Sequence, residues 1–146
     1  MADRKRIALA CALTWVVPGS GHYYLGKRAK GALFLCIVVA TFALGLLLDG
    51  RVYLANRDQP LSFLATFANA ALGPLDMLGR QISYQRIIYF SPPETDRASF
   101  QDVLERTRAR ILSVTNEYGT TFILTAGLMN ILLILDAFDI GIGRKP

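Results

Sequence analysis

The sequence predicts an all-α, multi-pass transmembrane helical protein with three spans and additional amphipathic interfacial helices. Three observations predict it. Hydrophobic residues make up 53% of the 146-residue chain and charged residues only 18%, below the roughly 25% usual in soluble domains. The apolar residues are clustered: Gly31 to Leu48 is 18 residues without a charge, and Tyr118 to Leu135 is another such run. Finally, the basic residues flank those runs, as Arg4-Lys5-Arg6, Lys27-Arg28 with Lys30, and Arg144-Lys145. A helix needs about 20 mostly apolar residues to cross the hydrocarbon core, and basic side chains hold its ends at anionic headgroups.

The first predicted span starts at Ile7, where an uncharged run of 20 residues extends to Gly26. Its regular part ends at Val17, because Pro18-Gly19-Ser20-Gly21 disrupts the helix. His22, Tyr23 and Tyr24 follow, aromatic side chains with polar tips that suit the headgroup level. A signal peptide is the competing reading of the start, and the return of apolar character at Gly31 opposes it. Gly31 to Leu48 forms the second span, closed by Asp49-Gly50-Arg51. Cys11 and Cys36 lie inside these runs; a hairpin of two full crossings puts them near opposite faces, too far apart to bond.

Leu61 to Leu78 carries Ser62, Thr66, Asn69, Gly73 and Asp76 at spacings of 4, 3, 4 and 3, which is one face of a helix. Phe63, Leu64, Phe67, Leu75 and Leu78 occupy the other face, and Gly73-Pro74 marks an interruption. Such a helix either lies in the interface or packs its polar stripe against another membrane helix. The interface is favoured because Asp76 is costly at depth. Gly79 to Phe90 has no clear period and reads as a surface connector. Ser91-Pro92-Pro93-Glu94 has the form of a capping box with Pro at the first helical position, predicting a helix from Pro92 to about Asn116. Within it, Asp102 and Arg106 form an i,i+4 pair. The third span is Tyr118 to about Ile140, with Thr121, Thr125, Gly127 and Asn130 as a small-and-polar side and Asp136 and Asp139 at its exit. The organisation is therefore a hairpin over residues 1–50, an amphipathic connector over 51–117, and a C-terminal span with a basic tail over 118–146.

Orientation depends on the first segment. With three crossings the N-terminal side carries eight basic residues near helix ends against five. If the first segment dips in and returns, the split is again eight against five, now with both termini on the richer side.

The stretch Pro18-Gly19-Ser20-Gly21-His22-Tyr23-Tyr24-Leu25-Gly26, followed by Gly31 and an apolar helix ending at Asp49, resembles the two-transmembrane-helix domain family. The resemblance covers about Ile7 to Asp49. It departs from the family's usual form in a shorter interval from His22 to Gly26 and in lacking an Arg after the His. The remainder is similar to uncharacterised bacterial membrane proteins carrying such a hairpin. The resemblance implies a bacterial cytoplasmic-membrane location and no defined activity. As a turn motif, Pro18, Gly19, Gly21, His22, Tyr24 and Gly26 read as a tight interfacial turn.

No catalytic, cofactor or metal site is expected. The chain has one His, and neither CxxC nor HExxH occurs. Gly19-Ser20-Gly21-His22 lacks the first Gly of a nucleophile elbow, and no second His exists to act as base. Asp49 and Asp136 close helices of opposite direction and should lie at opposite ends, so they cannot share a proton. Asp136 and Asp139, on one helix end, are expected to be solvated or to pair with Arg144 or Lys145. Nucleic-acid binding is not expected from the basic balance, because no basic-aromatic module is present. The expected function is a non-catalytic integral membrane protein, a structural or accessory subunit that contacts the lipid bilayer and binds other membrane subunits or itself. The alternative is a small transporter, channel or lipid-handling protein whose pathway is lined by Asn69, Asp76, Asn130 or Asp136.

Overall fold

In a computed structural model, residues 4–145 are described, and these are helical with no strands. Seven helices follow in order: α1 (Arg4–Val16), α2 (Ser20–Tyr24), α3 (Arg28–Leu47), α4 (Pro60–Ala70), α5 (Pro74–Tyr84), α6 (Arg97–Ile111) and α7 (Asn116–Gly141). Two of them, α3 with 20 residues and α7 with 26, are long and apolar enough to cross a membrane. At 1.5 Å per residue they are about 30 and 39 Å long.

The two long helices are antiparallel. Lys30, at the start of α3, meets Asp136 near the end of α7. Gly45, near the end of α3, packs against Gly119 and Ile123 at the start of α7. Gly50 and Gly119 touch through their backbones, a closeness that no side chain permits. Asp49 terminates α3 in the left-handed region (φ 57°). Its carbonyl accepts from Asn116 Nδ2 at 2.7 Å, and its carboxylate accepts from Ser113 Oγ at 2.9 Å, which pins the start of α7.

The first segment is not a helix of crossing length. Helix α1 has 13 residues, about 20 Å, and runs antiparallel to the C-terminal half of α7. Ile7 packs on Gly141, Cys11 reaches Ile134 O, and Thr14 reaches Asn130. There Pro18 and Gly19 (φ +80°) reverse the chain, and α2 brings it back toward the end from which it came. The expectation of three crossings counted an uncharged run through this break; the run contains a half-length helix and its return. Cys11 and Cys36, both free, therefore do not sit at opposite ends: Cys36 follows Leu35, whose backbone meets the α1–α2 turn at Gly19.

A second dip enters from the other end. Helix α4 runs parallel to α7, with Ala68 against Gly127 and Ala71 at Asn130. At Gly73-Pro74 the chain bends by 120°, and α5 returns obliquely. The bent pair counts as a third span only if its two helices are taken as one. All five positions of the predicted polar stripe, Ser62, Thr66, Asn69, Gly73 and Asp76, are buried, while Leu64 and Phe67 are 66% and 68% exposed. The stripe thus packs inward: Ser62 bonds Asn56 and Gln59, Thr66 bonds Tyr53 O, Gly73 lies on Trp15 O and Asp76 bonds Arg80.

Two other expectations are corrected. Helix α6 begins at Arg97, not Pro92, with Asp96 as its cap accepting from Ser99 N. The Ser91 N–H, which a capping box would give to Glu94, instead donates to Ala55 O, beside the Ala55–Phe90 bridge. The supposed connector from Gly79 is half helix: Gly79, Arg80, Ser83 and Tyr84 are buried in α5.

The core is thin, with Val38, Phe42, Val52, Leu72, Tyr84, Ile123, Ala126 and Leu133 at its centre. Small and polar side chains do much of the remaining packing, whereas Leu33, Leu44, Leu64, Phe67 and Leu132 face outward. Polar inside and apolar outside inverts the soluble pattern and is the arrangement expected where the solvent is hydrocarbon.

Candidate functional site

The two dips meet at Asn130, and proline chemistry explains how. In a continuous helix the carbonyl of residue i accepts from the N–H of residue i+4. Pro18 has no N–H, so Thr14 O is left without that donor; Pro74 likewise offers none to Ala70 O, which accepts from Gly73 N–H at 3.0 Å instead. Side chains from elsewhere donate to these and to the neighbouring helix-end carbonyls. Asn130 Nδ2 donates to Thr14 O at 3.3 Å and to Ala71 O at 2.7 Å. Trp15 Nε1 donates to Ala70 O at 3.0 Å. Both half-helices point their carbonyl ends at this junction, and the donors face the partial negative charge there. Gly73 passes directly over Trp15 O, and Gly127 over Ala68 O, each too close for a Cβ. Asn130 lies eleven residues before Gly141 and fourteen after Asn116, about 16 and 21 Å from the two ends of α7. Asn130 Oδ1 and both amide atoms of Asn69 are buried with no protein partner.

The second cluster closes the end shared by α1, α2 and α7. His22 is fully buried, and its Nε2 lies 3.0 Å from Asp136 Oδ2. Lys30 Nζ donates to the same oxygen at 3.0 Å, and Lys145 Nζ donates to Oδ1 at 2.6 Å. The hydrogen bond and charge of Asp136 push the Lys145 ammonium up from its ordinary value. Phe34 meets the His22 ring edge-on at 5.0 Å between centroids. The pairing of Asp136 with the C-terminal tail is thus found, with Lys145 as the partner.

The third cluster holds α5. Arg80, fully buried, donates from Nε to Asp76 Oδ2 at 2.8 Å. Its Nη1 donates to Tyr53 O at 3.2 Å and Ile88 O at 2.6 Å, and its guanidinium stacks 4.0 Å from the Tyr89 ring centroid. Tyr84 OH donates to Val52 O nearby. One guanidinium therefore ties the returning helix to the loops on both sides of it.

Of the turn motif, Pro18, Gly21 and His22 are buried, and Tyr24 is exposed. Gly19 approaches the backbone of Gly31, and Gly21 sits on Ala10 O and Thr14 Oγ1, so neither position accommodates a side chain. Gly26 adopts φ +87° in open space. His22 is an internal partner of Asp136. Among the polar candidates, Asn69, Asp76 and Asn130 are buried and Asp136 is nearly so. Thr121 and Thr125 are exposed on a different side of α7 from Gly127 and Asn130, and Thr121 Oγ1 donates to Glu117 O within the same helix. Trp15, Lys30 and Arg80 were missed. The only sequence sign of them was each proline four residues after a carbonyl in need of a donor, and an Arg four residues after Asp76. Asp49 and Asp136 do lie at opposite ends of α7. Among the described residues no group of His, Cys, Asp and Glu has the arrangement of a metal site.

No curated protein and no solved structure matches the chain. The pair of crossing helices implied by the resemblance over Ile7 to Asp49 is here one crossing-length helix and one half-length helix. A family model covers far more, residues 9–146, and so includes both dips, their junction on α7 and the Asp136 cluster. The chain belongs to that family, the family of unknown function DUF6677.

Proposed function

We propose that this is a non-catalytic integral membrane protein, an accessory subunit that binds other membrane proteins. In this reading α3 and α7 cross the bilayer, and α1–α2 and α4–α5 are re-entrant hairpins entering from opposite faces. One observation carries it: the deep polar side chains are spent on joining segments of this chain to one another. Asn130 bonds the two hairpin tips, Asp136 bonds His22, Lys30 and Lys145, and Arg80, held by Asp76 on its own helix, bonds Tyr53 O and Ile88 O. The surface left for partners is apolar. A lateral groove of about 590 Å³ runs between α4 and α7, with Ala65 and Ala68 on its floor and Leu64 and Leu128 on its sides. Small residues on such a floor allow close approach of a second helix. Both termini then face the cytoplasm, because their side carries the basic clusters at 4–6, 27–30 and 144–145.

A photocrosslinking residue at Leu64 or Leu128, expressed in the native membrane, tests this. The expected result is a discrete adduct with one membrane protein, absent when the probe is at Leu33. Lipid adducts alone at all three sites, with a monomeric purified protein, would refute it. A second reading, a small transporter or channel, is favoured by the unpaired amides of Asn69 and Asn130 Oδ1 at the meeting of two re-entrant tips. It requires liposome flux that Asn69→Ala or Asn130→Ala abolishes.

A further inference from the structure

The N-terminal turn motif has a face that the joining of segments does not use. Between the α1–α2 tip and α3 lies a groove of about 460 Å³, lined by Leu13, Val17, Pro18, Tyr23, Ala32 and Leu35 among others. It is almost wholly apolar and opens sideways. Its floor exists because Gly19 and Gly31 bring the tip against α3. From Arg28 at one end to Leu35 at the other is seven residues of helix, about 10 Å, within the roughly 15 Å of one leaflet. The groove is one leaflet deep because the hairpin turns back there.

Charge at the mouth of this groove is one-sided. Among the described residues, the end bearing the termini carries eight basic side chains (Arg4, Lys5, Arg6, Lys27, Arg28, Lys30, Arg144 and Lys145) against two acidic ones, Asp136 and Asp139. The opposite end is balanced, with eight basic and eight acidic residues over positions 49–117. Lys27 and Arg28 are both exposed, and the Arg28 guanidinium lies 5.6 Å from the ring centroid of Tyr23, an exposed residue that lines the groove.

Given the membrane reading above, on which it rests, we infer that the groove holds one acyl chain of an anionic phospholipid whose phosphate is bound by Lys27, Arg28 and the Tyr23 hydroxyl. The apolar slot accounts for the chain, and the one-sided charge for the preference in headgroup. Pro18, Gly19 and Gly31 shape the slot, so the turn motif is a lipid-binding element as well as a turn.

The test uses the full chain purified in mild detergent, titrated separately with phosphatidylglycerol and phosphatidylcholine and read by native mass spectrometry. Wild type is expected to bind phosphatidylglycerol about tenfold more tightly. Lys27→Gln with Arg28→Gln, both at exposed positions, should bring the two lipids to parity. Ala32→Phe fills the slot and should weaken both by about tenfold. Equal binding of the two lipids by wild type overturns the inference, as does a K27Q/R28Q protein that keeps the full preference. An A32F protein with wild-type affinity overturns the slot as the site. Failure of the membrane reading looks different: the chain would then be released from membranes by alkaline carbonate without detergent.

Discussion

Replacing Asn130 with Ala removes both hydrogen bonds that hold the hairpin tips to α7, one to Thr14 O and one to Ala71 O. Side-chain hydrogen bonds between membrane helices contribute about 0.6 kcal/mol on average and up to about 1.7. Hydrogen bonds in soluble proteins contribute about 0.5–1.5 kcal/mol net. Two bonds therefore give about 1–3 kcal/mol, and the upper half of that range is expected because Pro18 leaves Thr14 O no helical donor to fall back on. The folding equilibrium should shift by about 5- to 150-fold. Reversible unfolding in mixed micelles with rising dodecyl sulfate, followed through the single tryptophan, reads this directly. Two companions separate donor from volume. Asn130→Leu restores bulk without a donor and should stay destabilised. Asn130→Asp keeps the shape but sets a negative charge against two negative helix ends, and should cost more than Ala. If Ala and Leu variants both fall within about 0.3 kcal/mol of wild type, below even one average bond, or Asp is milder than Ala, the junction does not hold the tips as described.

Three further outcomes are expected. Trp15, at the tip of α1, should be quenched most by lipids brominated deep in the acyl chain; maximal quenching from headgroup-proximal bromines would place α1 on the surface. Arg80→Ala should cost about 3–5 kcal/mol by stranding Asp76, while Asp76→Leu with Arg80→Met recovers most of the loss in the same unfolding assay. The hydrogen bonds of Ser99 hold the Asp96 carboxyl below its usual range, so the α6 cap is intact above about pH 4 and is lost as pH falls through that lowered value. Amide protection at Ser99, corrected for intrinsic exchange, should fall correspondingly, and protection unchanged down to pH 2 would remove Asp96 from that role.

The long helices α3 and α7 were legible because an uncharged run of sufficient length is a local property. So were the breaks at Pro18-Gly19 and Gly73-Pro74 and the stripe of Ser62, Thr66, Asn69, Gly73 and Asp76. What was illegible is where each broken end goes. A proline announces that a carbonyl needs a donor, but Trp15 and Asn130 answer that need from 55 and 116 residues away. The length of the first helix was misread for the same reason: hydropathy does not register the reversal of direction at Pro18-Gly19. Asp76 was weighed as a lone charge, but Arg80, one helical turn on, pairs with it inside the protein. His22 was read from its aromatic neighbours, although its partner is on the last helix.

Because both half-helices are secured on α7, the order of synthesis leaves the first one waiting. Asn130 follows Thr14 by 116 residues, which at 5–20 residues per second is about 6–23 s. During that time the Thr14 carbonyl lacks its Asn130 donor. On the membrane reading proposed above, the nascent α1–α2 turn would then stay near the interface, where water can serve that carbonyl, until α7 arrives. The last helix made is thus the one that completes the first, and a chain cut before Asn130 should retain α3 while losing both dips.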